Sequence, residues 1–359
     1  MLDRRTVLAS TLALPACAAT PRLVRRSPPC LTPVNVDPSR IIRSVAGLRP
    51  YRASGFVVGA ENVGATRIVH NYGHGGSGIT LSWGTSRLAT QIGLPGHSGA
   101  VAVIGAGVMG LTTARLCQEA GFAVTLYAKA LPPDTTSNIA GGQWAPSTLY
   151  EDDAVTPAWR EQFRAAMDYS WRRFQIMVGD DYGIRWLPTY QSTRQTSLDP
   201  DPYMPGAALL ADGSHPFAGE RILRYTTMYV ETGRFLRQLT GDFENAGGRI
   251  VVREFHTPSE IAALPERLAF NCTGLGAKAL FGDTQLLPIR GQLAILLPQP
   301  EVQYAYAGRA GYMFPRADGI LLGGTFERGE SDPTPQPGDI ARILANHGRV
   351  FGSRWRCPA

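Results

Sequence analysis

An α/β fold organised around a dinucleotide-binding unit is what this sequence predicts, and three observations predict it. The run Val101-Ala102-Val103-Ile104 is short, apolar and β-branched, as a fully buried strand requires. It leads directly into Gly105-Ala106-Gly107-Val108-Met109-Gly110, a G-x-G-x-x-G turn. A helical stretch to Gly121 and a second strand over residues 122–127 follow on schedule, which completes a Rossmann-like βαβ start.

Within that turn Gly105 allows the tight bend, Gly107 lets backbone approach a pyrophosphate, and Gly110 lets helix pack on strand while the helix N-terminus faces the phosphates. An acid is expected at the end of the second strand to take the ribose hydroxyls, but Lys129 stands there. Lysine has no acceptor, so it contacts a phosphate, signals a 2′-phosphate, or is a solvated strand end with the ribose held by backbone. The motif alone leaves FAD and NAD(P) open.

Composition sets the frame around this unit. A chain of 359 residues buries a sizeable core, and 40 Gly with 27 Pro in a 44% apolar background describe a turn-rich globular enzyme with two interleaved domains. The formal charge of +6 is concentrated at the start, where Arg4, Arg5, Arg22, Arg25 and Arg26 face only Asp3 within the first 26 residues. The rest of the chain carries so weak a field that no nucleic-acid partner is expected. Cys17, Cys30, Cys117, Cys272 and Cys357 have no metal-ligand spacing, so no metal is expected, and Cys117 and Cys272 read as buried hydrophobes.

Residues 1–36 read as an export signal with a flexible tail. Arg4-Arg5 before a short apolar run resembles a twin-arginine signal, and Leu14-Pro15-Ala16-Cys17 resembles a lipobox, with Cys17 as the lipid anchor. The expected location is the periplasm or cell envelope. No other stretch reaches membrane-spanning length.

Two further segments suit a flat ring attached to a pyrophosphate. Thr135-Thr136-Ser137 leads into Gly141-Gly142-Gln143-Trp144, small hydroxyls followed by a glycine pair. Earlier in the chain, His70-Asn71-Tyr72-Gly73-His74 opens the Gly-dense stretch Gly75-Gly76-Ser77-Gly78-Ile79-Thr80. With Asn271-Cys272-Thr273-Gly274, Arg290-Gly291-Gln292, Tyr312 in Gly-Tyr-Met-Phe-Pro, Gly323-Gly324-Thr325-Phe326 and Gly47-Leu48-Arg49-Pro50, these blocks resemble the D-amino-acid oxidase (DAO) family of FAD-dependent oxidoreductases. The likeness covers about residues 37–352. It implies FAD as cofactor and a glutathione-reductase-type FAD domain interleaved with an α+β substrate domain.

In that family the Arg-Pro and His-Asn-Tyr-Gly-His-Gly-Gly blocks close the chain, whereas here they precede the G-x-G-x-x-G strand. The order therefore reads as circularly permuted. The expected FAD-binding part is 37–150, made of a permuted piece 37–84, a linker 85–100 and the piece 101–150, and it resumes at 241–300. The substrate domain takes 151–240 and 301–359, the latter including a C-terminal tail. Cys30 and Cys357 flank the same cut, so they are candidates for a disulfide in an oxidising compartment.

The resemblance also assigns roles. Arg49 matches the arginine that grips a substrate α-carboxylate, Tyr312 the tyrosine that hydrogen-bonds it, and the Gly76 carbonyl would accept from the substrate amine. Gly75, Gly76, Ser77, Gly78, Ile79 and Thr80 would surround the pyrimidine end of the flavin, with Gly142, Gln143 and Trp144 along the ring. Arg253, Phe255 and Thr273 would lie toward the adenine. Gly308 stands where a lid tyrosine is common, with Tyr304 and Tyr306 as substitutes and Arg309 and Arg316 as readers of an acidic side chain. The implied activity is oxidation of D-amino acids to imino and 2-oxo acids, with oxygen reduced to hydrogen peroxide. The alternatives are an amine or imino-acid dehydrogenase using a membrane acceptor, and a flavin-retaining binding protein without turnover.

Overall fold

The computed structural model describes residues 30–357; the segment expected to be an export signal, with Cys17, lies outside the described residues. Along the chain, β1 (Ile41–Tyr51), β2 (Val57–Val63) and β3 (Thr66–Tyr72) lead through a glycine-rich turn into α1 (Gly78–Gly93). The dinucleotide unit follows as β4 (Val101–Ile104), α2 (Val108–Glu119) and β5 (Val124–Ala128), then the one-turn α3 (Thr136–Ile139) and α4 (Pro157–Gln175). Next come β6 (Ile184–Ser192), β7 (Ala208–Leu209), β8 (Ile222–Val230), α5 (Thr232–Asn245), β9 (Arg249–Val252), α6 (Pro258–Ala262), β10 (Leu268–Asn271) and α7 (Gly276–Phe281). The chain finishes with β11 (Leu287–Leu296), β12 (Ala305–Gly308), β13 (Gly311–Arg316), β14 (Gly319–Gly323), β15 (Glu327–Arg328) and α8 (Pro337–Gly348).

Two sheets result. The first runs β2-β3-β10-β4-β5-β9, and every neighbour pair except β2 with β3 is parallel. Its central strands are apolar on both faces because helices cover both, and Val101, Ala102, Val103, Leu268, Ala269 and Phe270 are all fully buried. The second runs β1-β11-β14-β13-β12-β6-β8-β7, with β15 on β11, and is mostly antiparallel.

Sheet membership redraws the expected domain boundaries. Strand β1, expected in the nucleotide-binding part, heads the second sheet and pairs antiparallel with β11, which was also expected in the first domain. Helix α4 packs on α1, so the start of the expected substrate part 151–240 covers the nucleotide-binding side. The linker is shorter than 85–100: α1 continues to Gly93, with Ser86 buried in hydrogen bonds to Asn71, Thr112 and Thr113.

Cys30 and Cys357 are joined as a disulfide, with Cα atoms 5.2 Å apart. Beside it, the Tyr304 hydroxyl donates to the Thr32 carbonyl at 2.8 Å, and Trp355 forms a backbone bridge with Phe217. The two ends of the described chain are thus sewn into the core of the second domain.

Candidate active site

The parallel strands of the first sheet end together, and the loops leaving them line one cleft of about 840 Å³. At its phosphate end, Gly105 has φ +113, and a Cβ there would press on the Cys272 carbonyl. A Cβ at Gly110 would collide with the Gly105 carbonyl, so the helix packs directly on the turn. Helix α2 starts at the cleft with Gly107 as N-cap and no acid in its first turn, leaving a positive end free for an anion. The amide of Val108 donates to Ser137 Oγ at 3.0 Å, which ties α3 to that end.

Of the expected cofactor residues, Gly105, Ala106, Gly107, Val108, Met109, Lys129, Thr135, Thr136, Ser137, Gly141, Gly142 and Gln143 all line this cleft. So do Arg253, Phe255, Thr273, Gly75, Gly76, Gly78 and Ile79. Phe255 is buried with its ring edge-on to Tyr127 and the Arg253 guanidinium 4.5 Å above it. Thr273 Oγ1 donates to Asn271 Oδ1 at 2.7 Å. Lys129 is an exposed strand end whose Nζ meets Glu254 Oε1 at 3.1 Å. Glu254, two residues past the end of β9, also lines the cleft and places a carboxylate beside the end of β5, where the sequence lacks one. No sequence pattern pointed to it, because its place depends on β9 lying beside β5.

Four expected residues do not line the cleft. Gly110 acts through helix packing, as above. Ser77 Oγ donates to the Ser147 carbonyl and accepts from the Ser147 amide, each at 2.9 Å. Thr80 Oγ1 does the same with Ala145, at 3.1 Å both ways. These side chains hold the 145–148 segment against the cleft rather than facing it themselves. Trp144 is 1% exposed, packed on Trp171 and Tyr203. The cause is strand-like alternation: Gly142 and Trp144 bond to Val230 and Met228 of β8, so Gln143 faces the cleft and Trp144 faces away.

Register explains the other end. Cross-strand partners share a face, and Gly47↔Gly291, Arg49↔Ile289, Leu293↔Gly323, Gly323↔Tyr312 and Ala307↔Tyr312 are such pairs. One face of the second sheet therefore presents Arg49 and Tyr312 over a row of glycines toward the cleft. A Cβ at Gly291 would strike the Arg49 guanidinium, and one at Gly323 the Tyr312 ring. Arg49 Nη1 is buried without a hydrogen-bond partner. Burial pushes the Tyr312 hydroxyl above its ordinary range, opposed by the adjacent Arg49 charge, so it stays a proton donor. The Gly76 amide donates to the carbonyl of Thr148, a residue held at φ 51.

Alternation also settles the lid residues. Tyr304 and Tyr306 point to the opposite face, where Tyr306 donates to buried Glu220 at 2.7 Å, so neither replaces a lid tyrosine. Gly308 and Gly311 are paired, leaving Arg309-Ala310 as a two-residue turn. Arg316 is buried, ion-paired with Asp318 and bonded to Thr232, which removes it from substrate contact. Arg309 is exposed.

The family described as DAO, FAD dependent oxidoreductase, matches residues 18–92 and 100–356. The chain belongs to this family. Its cofactor is accordingly FAD, and the cleft fits it: Gly105, Gly107 and the α2 N-terminus would hold the pyrophosphate, with Glu254 near the ribose end. This DAO-family chain is 29% identical to a D-amino-acid oxidase of Streptomyces coelicolor over 275 residues, spanning 72% of this chain and 81% of that protein. It is 26% identical to a human D-aspartate oxidase over 258 residues, 68% of this chain and 74% of that protein. Among solved structures, the glycine oxidase from Bacillus cereus superposes with a TM-score of 0.55 at 15% identity, over 72% of this chain and 81% of that one.

Proposed function

We propose that the protein oxidises D-amino acids, consuming oxygen and releasing imino acid, then 2-oxo acid and ammonia, with hydrogen peroxide. One observation carries this reading: a buried, unpartnered guanidinium nitrogen of Arg49 beside a protonated tyrosine, at the ring end of an FAD cleft. Arg49 is half-buried with Nη1 shielded from solvent, and a carboxylate offers the two-point acceptor that its fork of donors matches. Curated relatives named for oxidation of D-amino acids support it.

In this reading Arg49 anchors the α-carboxylate, Tyr312 donates a hydrogen bond to it, and the Gly76 carbonyl accepts from the substrate amine. Bound FAD supplies the two-electron acceptor for the α-hydrogen and returns the electrons to oxygen. The glycine row lets Arg49 and Tyr312 lie flat against the sheet, so a carboxylate they hold would sit at the sheet-side wall of the cleft. The amine must be neutral to leave as imine, so the rate rises with pH while Tyr312, shifted upward by burial, stays protonated.

We further read the chain as circularly permuted and exported through the twin-arginine route with a lipid at Cys17. The two-part family match, interrupted at 93–99, agrees with residues 94–100 joining ends that are separate elsewhere in the family. The decisive experiment exposes the purified flavoprotein, without oxygen, to a panel of D- and L-amino acids. Bleaching by D-isomers, with oxygen uptake and peroxide on re-aeration, is expected. A flavin left oxidised by every D-isomer refutes the reading.

A further inference from the structure

A second cleft, of about 1140 Å³, opens beside the first and shares Gln143, Ala145, Ser147 and Ala307 with it. Its floor is polar and already ordered. Gln143 Nε2 donates to the Tyr225 hydroxyl at 3.1 Å, which donates to Gln191 Oε1 at 2.9 Å. Ala307 lies directly across from Tyr312 and, on its other side, beside Gln191, so this floor continues from Tyr312 along one sheet face.

Four arginines stand around the rim: Arg164 from α4, Arg194 after β6, Arg221 before β8 and Arg309 in the β12–β13 turn. All are exposed, and the lining contains a single acid, Asp201. Among the described residues, none of the four is in an ion pair. Convergent like charges repel one another, and a cleft lined by them concentrates anions.

We propose that this second cleft is the subsite for the substrate's side chain, and that the preferred substrate is an amino acid whose long side chain ends in a carboxylate. The inference rests on the amino-acid oxidation proposed above, with the α-carboxylate at Arg49 and Tyr312. Length follows from position. A side chain leaving Tyr312 crosses Ala307 and the neutral Gln143-Tyr225-Gln191 ladder before it meets the rim, so a short acid reaches amides and a longer one reaches guanidinium groups.

The test is a homologous series, D-aspartate, D-glutamate and D-2-aminoadipate, against the uncharged D-norleucine, followed by anaerobic flavin reduction. Efficiency should climb along the acids, with aminoadipate about tenfold or more above norleucine at low salt, and the advantage should shrink as salt rises. Arg309→Ala and Arg194→Ala should each cut the aminoadipate-to-norleucine ratio about tenfold, with Arg309→Lys recovering part of it. Equilibrium binding of glutarate, which has no amine to oxidise, is the second readout and should weaken in the same variants. A ratio near one that ignores both salt and the arginines overturns the subsite while leaving the oxidase reading intact. Should no D-amino acid reduce the flavin, the oxidase reading fails, and glutarate binding alone decides the subsite: dependence on Arg309 sustains it, and independence overturns it.

Discussion

Replacing Gly291 by alanine tests the glycine row while leaving Arg49 and Tyr312 themselves unmutated. The added methyl would occupy the space of the Arg49 guanidinium, the far end of a flexible side chain, so the arginine swings away and the strand survives. Gly291 lies in β11 opposite Gly47 with ordinary extended backbone, and Gly→Ala in a strand changes stability by only about 1 kcal/mol. The loss falls on binding. A fork of two charge-assisted hydrogen bonds that loses one member gives up about 1.5–3 kcal/mol. At about 1.4 kcal/mol per factor of ten, the variant should bind D-amino acids roughly tenfold to a hundredfold more weakly. Rapid-mixing measurement of flavin reduction gives the substrate dissociation constant, and urea denaturation gives the stability. Unchanged substrate affinity in a stably folded Gly291→Ala protein would refute the argument that the row exists to seat Arg49.

Three further outcomes are expected. Gly110→Ala forces a methyl into the Gly105 carbonyl, a backbone atom that cannot step aside, so purified protein should carry a small fraction of the wild-type flavin absorbance. Reducing the Cys30–Cys357 disulfide releases a loop that spans a separation of 327 residues and should lower unfolding stability by about 2–5 kcal/mol; an equal melting temperature with and without reductant contradicts this. Buried His74, stacked on Phe56 and bonded to Thr85, is pushed down to about 3 by desolvation from an ordinary 6.5. Because the folded value is depressed, the stability it contributes is complete above 6.5 and is lost as pH falls toward 3, by about 1.4 kcal/mol at one unit below 6.5. Denaturation curves that are flat between neutral and mildly acidic pH would count against it.

The parts of this site legible in the sequence are those written in consecutive residues. The Gly105–Gly110 turn lies between a strand and a helix that periodicity reveals, and the loop before α1 announces itself by glycine density. What was hidden depends on pairing between distant strands. Nothing local says that Gly47, Gly291 and Gly323 form one row, that Glu254 stands beside Lys129, or that β1 belongs to the second sheet. Trp144 shows the same limit on a smaller scale, since one step of strand alternation turned a plausible ring neighbour into core. The arginine cleft draws on four separate segments, so only its Arg309 corner could be suspected beforehand.

The bond between Cys30 and Cys357 closes the described polypeptide, residues 30–357, into a covalent ring. In such a ring, position along the chain loses its meaning as first or last. A single proteolytic cut in the linker at 94–100, or at any other exposed loop, would yield two electrophoretic fragments under reducing conditions and one intact molecule without them. The disulfide thus converts a severing event into a mere relocation of the ends.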